Sequence, residues 1–275
     1  MREIGDIDTQ APETGYAGET LRSGIKPLEM RFCQINSAYR RLPIAYRSFT
    51  YVNSVIEGVL PPEKYAFAAD GTDRGLRLAK WNIQEAMHAI DRMVAAGRNV
   101  QFVTARCPAS LAMEKDLYEW MKEFLEKERF AHTEKLCLEF PQSLLFEEED
   151  QVRAGILSMK LLKVKTMMSG CGETDCPVAN LLNVPVDMVL LAPRLTALAD
   201  SRDKGNGVSA MLSFLRSLSI EVIGEGAVSD EGIRALSRAD CMGYIPSPAY
   251  GGTVRHGSLR MTLEDAVAQR EEEEM

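Results

Sequence analysis

Two glutamates stand at or near the ends of apolar, strand-like segments: Glu139 in KLCLEF and Glu225 in IEVIGE. Carboxylate oxygens are ligands for hard cations such as Mg²⁺ and Mn²⁺, and they also form ion pairs with arginine. Arg47, in the segment AYRSFTYV, is a candidate partner because a guanidinium matches the geometry of a carboxylate. The residue types leave metal ligation and a structural ion pair open for the glutamates, and surface exposure open for Arg47.

Further candidates lie in the segment SGCGETDC. Glu173 and Asp175 could supply additional oxygen ligands, although a solvated loop is the simpler interpretation. Cys171 and Cys176 lack both the CxxC spacing and a nearby histidine, so a metal or redox pair is not favoured. The three histidines also lack the spacing of metal ligands or of a nucleophile's partner; they are His88, His132 and His256.

The composition is that of a globular protein with a full core, with 45% hydrophobic and 26% charged residues. The net charge of −8 opposes general attraction to nucleic acid or to an anionic membrane. No apolar run is long enough to span a bilayer, and the N-terminus lacks the apolar run of a secretory signal. We therefore expect a cytoplasmic protein without a membrane span, whose six scattered cysteines are reduced thiols.

Strand-like and helix-like segments alternate along most of the chain. Such alternation predicts an α/β fold with parallel strands covered by helices. Periodicity does not distinguish a closed barrel from an open sheet, but the glycine-rich phosphate fingerprint of nucleotide-binding open sheets is absent. We predict one barrel domain over residues 30–260, preceded by an extended or disordered arm (1–29) and followed by an acidic tail (261–275).

Six short motifs, within about residues 31–250, resemble the EAL family of cyclic di-GMP phosphodiesterases in order and spacing. They are Gln34, Gly58 with LPPEKY (60–65), CLEFPQSLLFE (137–147), LLNVPVDMVLL (181–191), LRSLSIEVIGEGAVSDEGIRAL (215–236) and MGYIPSP (242–248). The resemblance implies a TIM-like (β/α)8 barrel. It also implies a family chemistry in which two divalent metals, held by oxygen ligands at the ends of barrel strands, hydrolyse a phosphodiester.

Residue by residue, the resemblance assigns only two surviving carboxylates to the family's metal shell, Glu139 and Glu225. Gly172 keeps a glycine of the family's pattern. Other residues stand where the family has metal-binding or nearby polar residues: Arg47, Ala105, Gln142, Ser169, Gly170, Leu190, Ala192 and Met242. The position of Ala105 in this alignment is loose by about one residue. Most of the positions that would hold the metals are therefore changed.

The hypothesis that follows is a catalytically inactive EAL-like domain, without a cofactor, that acts as a regulatory or protein-interaction module in cyclic di-GMP signalling. Fold does not dictate function, so a barrel can persist without the reaction. Its expected partner is another protein, and a homo-oligomer is compatible with the sequence; retained cyclic di-GMP binding is not favoured. The alternative is an active cyclic di-GMP phosphodiesterase whose altered Mg²⁺ or Mn²⁺ site uses Glu139, Glu225 and displaced carboxylates. An unrelated barrel enzyme is the third interpretation.

Overall fold

The computed structural model describes residues 28–54, 58–66, 70–173, 177–199, 201, 203–227 and 229–247. The predicted acidic tail and nearly all of the predicted arm lie outside these ranges, as do Asp175, Cys176 and His256. The first strand begins at Leu28, so the last two residues of the predicted arm belong to it.

Eight strands form a closed barrel, which confirms the predicted α/β barrel and removes the open-sheet alternative. They are β1 (Leu28–Ser37), β2 (Pro43–Ser54), β4 (Val103–Arg106), β5 (Leu136–Pro141), β6 (Lys165–Cys171), β7 (Met188–Leu191), β8 (Glu221–Ala227) and β9 (Gly243–Pro246). The short β3 (Gly58–Leu60) extends from β2 as an antiparallel hairpin. The segments that end near Glu139, Met168, Leu191 and Glu225 are neighbours, because β5, β6, β7 and β8 pair in that order.

The first strand runs against the other seven barrel strands, since it is antiparallel to both β2 and β9. Its pairing with β9 is short, and consists of Asn36 opposite Tyr244 and Ser37 opposite Gly243. The turn after β1 reinforces this seam through side chains that reach the segment before β9. Tyr39 donates a hydrogen bond to Asp240, and Arg41 pairs with Asp230 at 2.7 Å.

Seven α-helices accompany the strands within the described ranges. They are α1 (Asp73–Ala95), α2 (Ala109–Ala112), α3 (Leu117–Lys127), α4 (Glu149–Leu161), α5 (Pro193–Thr196), α6 (Gly205–Ser217) and α7 (Asp230–Arg238). Short 3-10 helices span Pro62–Lys64, Thr133–Lys135, Gln142–Phe146 and Val178–Leu182. None of the helices in the described part of the chain is long and apolar enough to cross a bilayer.

Local sequence explains where several helices begin and end. The Thr72 side chain accepts a hydrogen bond from the Gly75 amide at the start of α1, and the Ser229 side chain accepts one from the Gly232 amide at the start of α7. Gly97, with a φ of 72°, follows the end of α1. The sequence of residues 109–130 has the apolar spacing of a single helix, but the structure divides it into α2 and α3, because polar residues 114–116 interrupt the apolar periodicity.

Alternating side chains on the strands build two apolar layers. One layer fills the barrel and includes Phe102, Cys137, Met167 and Ile223, while the other lies between the strands and the helices. Because strand side chains alternate between faces, residues two positions beyond these inner residues point to the mouth of the barrel. The five cysteines in the described ranges are buried free thiols, as the sequence suggested.

Helices α2 and α4 approach each other closely at one glycine. A Cβ atom added to Gly155 would lie 1.9 Å from the carbonyl oxygen of Ala112. The two helices can pack at this distance only because residue 155 has no side chain.

Candidate functional site

Arg47 lies between Glu139 and Glu225 at the mouth of the barrel. Its Nη2 and Nε atoms donate to Glu139 Oε1 at 2.7 and 3.0 Å, and its Nη1 atom donates to Glu225 Oε1 at 2.6 Å. The side chains of Arg47 and Glu139 are 5% and 0% exposed, whereas that of Glu225 is 27% exposed. Both glutamates thus form ion pairs with Arg47, and the guanidinium bridges the two carboxylates rather than one. We call this arrangement the bridged triad.

Neighbouring hydroxyl groups hold Glu139 in place. Thr104 Oγ1 donates to Glu139 Oε2 at 3.1 Å and accepts a hydrogen bond from the Ser48 amide at 3.0 Å. Ser169, at the position that the resemblance assigns to a lost aspartate, is buried and donates to the Phe140 carbonyl oxygen. Both carboxylate oxygens of Glu139 are therefore occupied by protein donors.

The charges of the bridged triad stabilise one another. Burial alone would raise the pKa of Glu139, but the charges of Arg47 and Arg106 and the hydrogen bonds from Arg47 hold it below its ordinary value. Burial alone would lower the pKa of Arg47, but the two glutamates raise it. Beneath them, burial raises the pKa of Cys33 to about 12, so this thiol stays neutral near pH 7. Cys33 therefore adds no charge next to the paired groups of the bridged triad.

A second arginine, Arg106, lies at the mouth of the barrel. The resemblance places the corresponding position at Ala105, one residue earlier. Ala105 packs in the outer apolar layer, whereas Arg106 points to the mouth. Its Nε atom lies 3.7 Å from Glu139 Oε1, and its Nη1 atom lies 4.0 Å from Glu63 Oε1. These distances are longer than hydrogen bonds, so Arg106 contributes charge to the site without a fixed fork geometry.

The end of β6 and the residue that follows it contain two glycines, which have no side chain to offer as a ligand. Gly170 and Gly172 have φ values of 78° and 85°, a left-handed conformation that glycine adopts without strain. Gln142 Oε1 accepts a hydrogen bond from the Gly172 amide at 2.9 Å, so its side chain holds this loop. Glu173 is exposed, and it faces the same cavity as the bridged triad.

The remaining positions that the resemblance marks are apolar and lie in packed surroundings. Leu190 is fully buried inside the barrel, and Ala192 is buried beyond the end of β7. Met242 is partly buried and packs against the inner layer. None of these three side chains can offer an oxygen ligand.

A cavity of about 500 Å³ lies at the mouth of the barrel over the bridged triad. Its apolar wall includes Phe49, Tyr65 and Leu78, and its polar lining includes Gln142 and Ser169. A cavity of this size falls in the range of ligand sites, which are typically about 300–1,000 Å³.

These residues fit a divalent metal pair poorly. In the described part of the chain, no group of three or more His, Cys, Asp or Glu side chains is arranged to hold a metal ion. A cation placed between Glu139 and Glu225 would also meet the guanidinium of Arg47, which already joins the two carboxylates. The charge that a metal would supply is thus supplied by Arg47.

Asn82 of α1 joins the helix to two strands below the cavity. Its Oδ1 atom accepts from the Thr50 hydroxyl at 2.6 Å, and its Nδ2 atom donates to the Arg106 carbonyl oxygen at 2.7 Å. We expect Asn82→Ala to lower the free energy of unfolding by about 2 kcal/mol, because two buried polar groups lose their partners. Urea denaturation measures the change. Gln84→Ala on the same helix is the control, and an equal loss in both variants would contradict the prediction.

Comparison with known proteins gives one family and several similar structures. A sequence model of the family described as EAL domain matches residues 27–244. No curated protein matches the chain.

Among solved structures, the EAL enzyme Bd1971 bound to cAMP and cyclic di-GMP aligns with a TM-score of 0.76 and 14% identity, covering 90% of this chain and 66% of that one. The chain thus spans just under two thirds of Bd1971. The PaMucR phosphodiesterase in complex with cyclic di-GMP aligns with a TM-score of 0.72, 16% identity and coverages of 85% and 94%. The FimX EAL domain from Pseudomonas aeruginosa bound to cyclic di-GMP aligns with a TM-score of 0.71 and 12% identity, covering 87% of this chain and 96% of that one. At these identities the likeness shows the fold alone.

Proposed function

The chain belongs to the EAL domain family, and from this premise we propose that it is a non-catalytic member that acts as a regulatory or protein-interaction module in cyclic di-GMP signalling. The observation that carries the proposal is the bridged triad. Glu139 and Glu225 are the two carboxylates that the resemblance assigns to the metal shell, and both bind Arg47 instead.

In the family, the two metals perform a step that Arg47 would have to replace. Enzymes lower reaction barriers by about 8–23 kcal/mol, and paired metals supply much of this by activating water and stabilising the leaving oxygen. A guanidinium cannot activate water, because it has no open coordination position and does not lower the pKa of a bound water as a metal does. With Arg47 between the two carboxylates, the bridged triad activates no water in the way that a metal does.

The charges of the cavity also disfavour retained cyclic di-GMP binding. Its lining contains five carboxylates and two guanidinium groups, whereas cyclic di-GMP carries two phosphates. Structures of two relatives, PaMucR and the FimX EAL domain, contain that ligand. For this chain we propose protein recognition as the retained activity instead.

The test is a cyclic di-GMP hydrolysis assay of the full chain with Mn²⁺ or Mg²⁺, together with calorimetric titration of the dinucleotide. We expect no turnover and no metal-dependent binding. A Glu139→Ala, Glu225→Ala double variant, prepared identically, reports any contaminating phosphodiesterase.

Metal-dependent turnover that disappears in the double variant would overturn the proposal. Because the double variant also deprives Arg47 of its partners, a Glu225→Gln variant that retains the thermal transition of the parent serves as a second control. Such turnover would support the alternative of an altered metal site, with Glu173 and Asp175 as the next carboxylates to replace.

A further inference from the structure

The cavity over the bridged triad has an excess of negative charge. Its five carboxylates face two guanidinium groups; these residues are Glu63, Asp70, Glu139, Glu173 and Glu225, with Arg47 and Arg106. The cavity is therefore a poor receptor for an anion and a better one for a cation.

Both arginines of the cavity lie within ion-pair distance of carboxylates. Arg47 pairs with Glu139 and Glu225, and Arg106 lies between Glu139 and Glu63. Neither guanidinium therefore neutralises Glu173, which lines the same cavity.

The carboxylates that line the cavity differ in how many hydrogen bonds they accept from the protein. Asp70 accepts hydrogen bonds from the Ser110 hydroxyl and the Gly71 amide. The carboxylate of Glu173 has no hydrogen bond or ion pair to any residue within the described ranges. Glu225 uses Oε1 for Arg47, and its Oε2 atom has no partner in the same part of the chain. Glu173 and Glu225 are thus the groups that an incoming cation would meet.

The walls of the cavity suit an apolar stem behind a cationic head. Phe49, Leu78 and Pro193 contribute apolar surface. Tyr65 contributes an aromatic ring whose hydroxyl donates to the Thr50 carbonyl oxygen at 2.6 Å, which fixes the ring in place. Lysine and arginine bury their methylene stems on apolar surface, and their charged heads also pack on aromatic rings.

We propose that this cavity receives a lysine or arginine side chain from a basic segment of a partner protein. This inference rests on the proposed protein-interaction function, and it specifies the chemistry of the partner. The 3-10 helix Gln142–Phe146, which follows β5, leads into four exposed acidic residues, 147–150, so the surface charge outside the cavity has the same sign. Such a face attracts basic segments and accelerates their association at low salt.

The test is a fluorescence-anisotropy titration of a labelled hexa-arginine peptide with the full chain. We expect saturable binding that weakens between about 50 and about 300 mM salt, and no binding of a neutral alanine-based peptide. Glu173→Lys should weaken the peptide's affinity by about tenfold, because it replaces an attraction inside the cavity with a repulsion. The exposed Glu173 carboxylate makes no hydrogen bond or ion pair within the described ranges, so the variant should keep its melting temperature.

Glu123→Lys is the matched control, because Glu123 is an exposed residue of α3 outside the cavity and the change in net charge is the same. It should alter the affinity by less than about twofold. Tyr65→Ala should weaken binding without any change of charge. Equal losses in both lysine variants, no saturable binding, or no effect of Tyr65→Ala would overturn the inference. None of these outcomes would overturn the proposed function, because the result that contradicts it is metal-dependent hydrolysis of cyclic di-GMP.

Discussion

Replacement of Arg47 by methionine is expected to lower the free energy of unfolding by about 3–5 kcal/mol, the usual cost of removing one partner from a buried ion pair. Glu139 would remain fully buried, with only the Thr104 hydroxyl and more distant groups to stabilise its charge. Glu225 is partly exposed, so water would better replace the hydrogen bond that Glu225 loses with Arg47. Equilibrium unfolding in urea at neutral pH measures the difference.

The pH dependence of the Arg47→Met variant provides a second measurement. In the parent chain the lowered pKa of Glu139 contributes stability above the pKa of an unfolded glutamate, and this stability is lost as the pH falls through the folded value. In the variant, loss of the charge and the hydrogen bonds of Arg47 should raise the pKa of the buried Glu139, so protonation restores stability as the pH decreases. The deficit relative to the parent should therefore become smaller below neutral pH.

Two variants separate loss of the ion pair from loss of packing. Adding Glu139→Gln to Arg47→Met removes the unpaired charge and should recover part of the stability. Arg31→Met is the matched control, because Arg31 pairs with the more exposed Glu29, and such pairs contribute about 0–1 kcal/mol. A loss at position 47 no larger than that at position 31 would contradict the structural role of Arg47.

The second large effect is expected from Gly155→Ala, which should lower the free energy of unfolding by about 3 kcal/mol. The added methyl group would overlap the carbonyl oxygen of Ala112, a backbone atom that cannot rotate away. Helices α2 and α4 would have to separate, and the buried residues between them would lose contacts. Thermal and urea unfolding both report the change.

Gly207→Ala is the control for this substitution, because Gly207 also lies in a helix and an added Cβ would meet no atom within 4 Å. Alanine is the better helix former, so this variant should be as stable as the parent or more stable by up to about 1 kcal/mol. Equal stabilities for the two variants would show that the approach of α2 and α4 does not require a glycine.

The barrel could be predicted from the sequence because strand and helix periods alternate with little interruption. The direction of β1 could not be predicted, since an apolar strand has the same pattern whichever way it runs. The division between α2 and α3 depends on three polar residues, and these also fit the exposed face of a continuous helix.

The bridged triad was predictable in its members but not in its geometry. Glu139, Glu225 and Arg47 carry charge inside apolar segments, which marks them in the sequence. Arg106 was missed because the motif around it aligns loosely. The alternation from the inner residue Phe102 would have identified it, since residues 104 and 106 share that face.

The seam between β1 and β9 joins the first described strand to the last one. A growing chain emerges from the ribosome from its N-terminus, so β1 and β2 are synthesised long before their closing partner exists. Until β9 has been synthesised, the edge of β1 that faces it has no strand to pair with. The turn after β1 likewise cannot contact Asp230 and Asp240 before the segment that precedes β9 exists. Closure of the barrel is therefore a late event in biosynthesis, and the nascent chain exposes an unpaired strand edge until then.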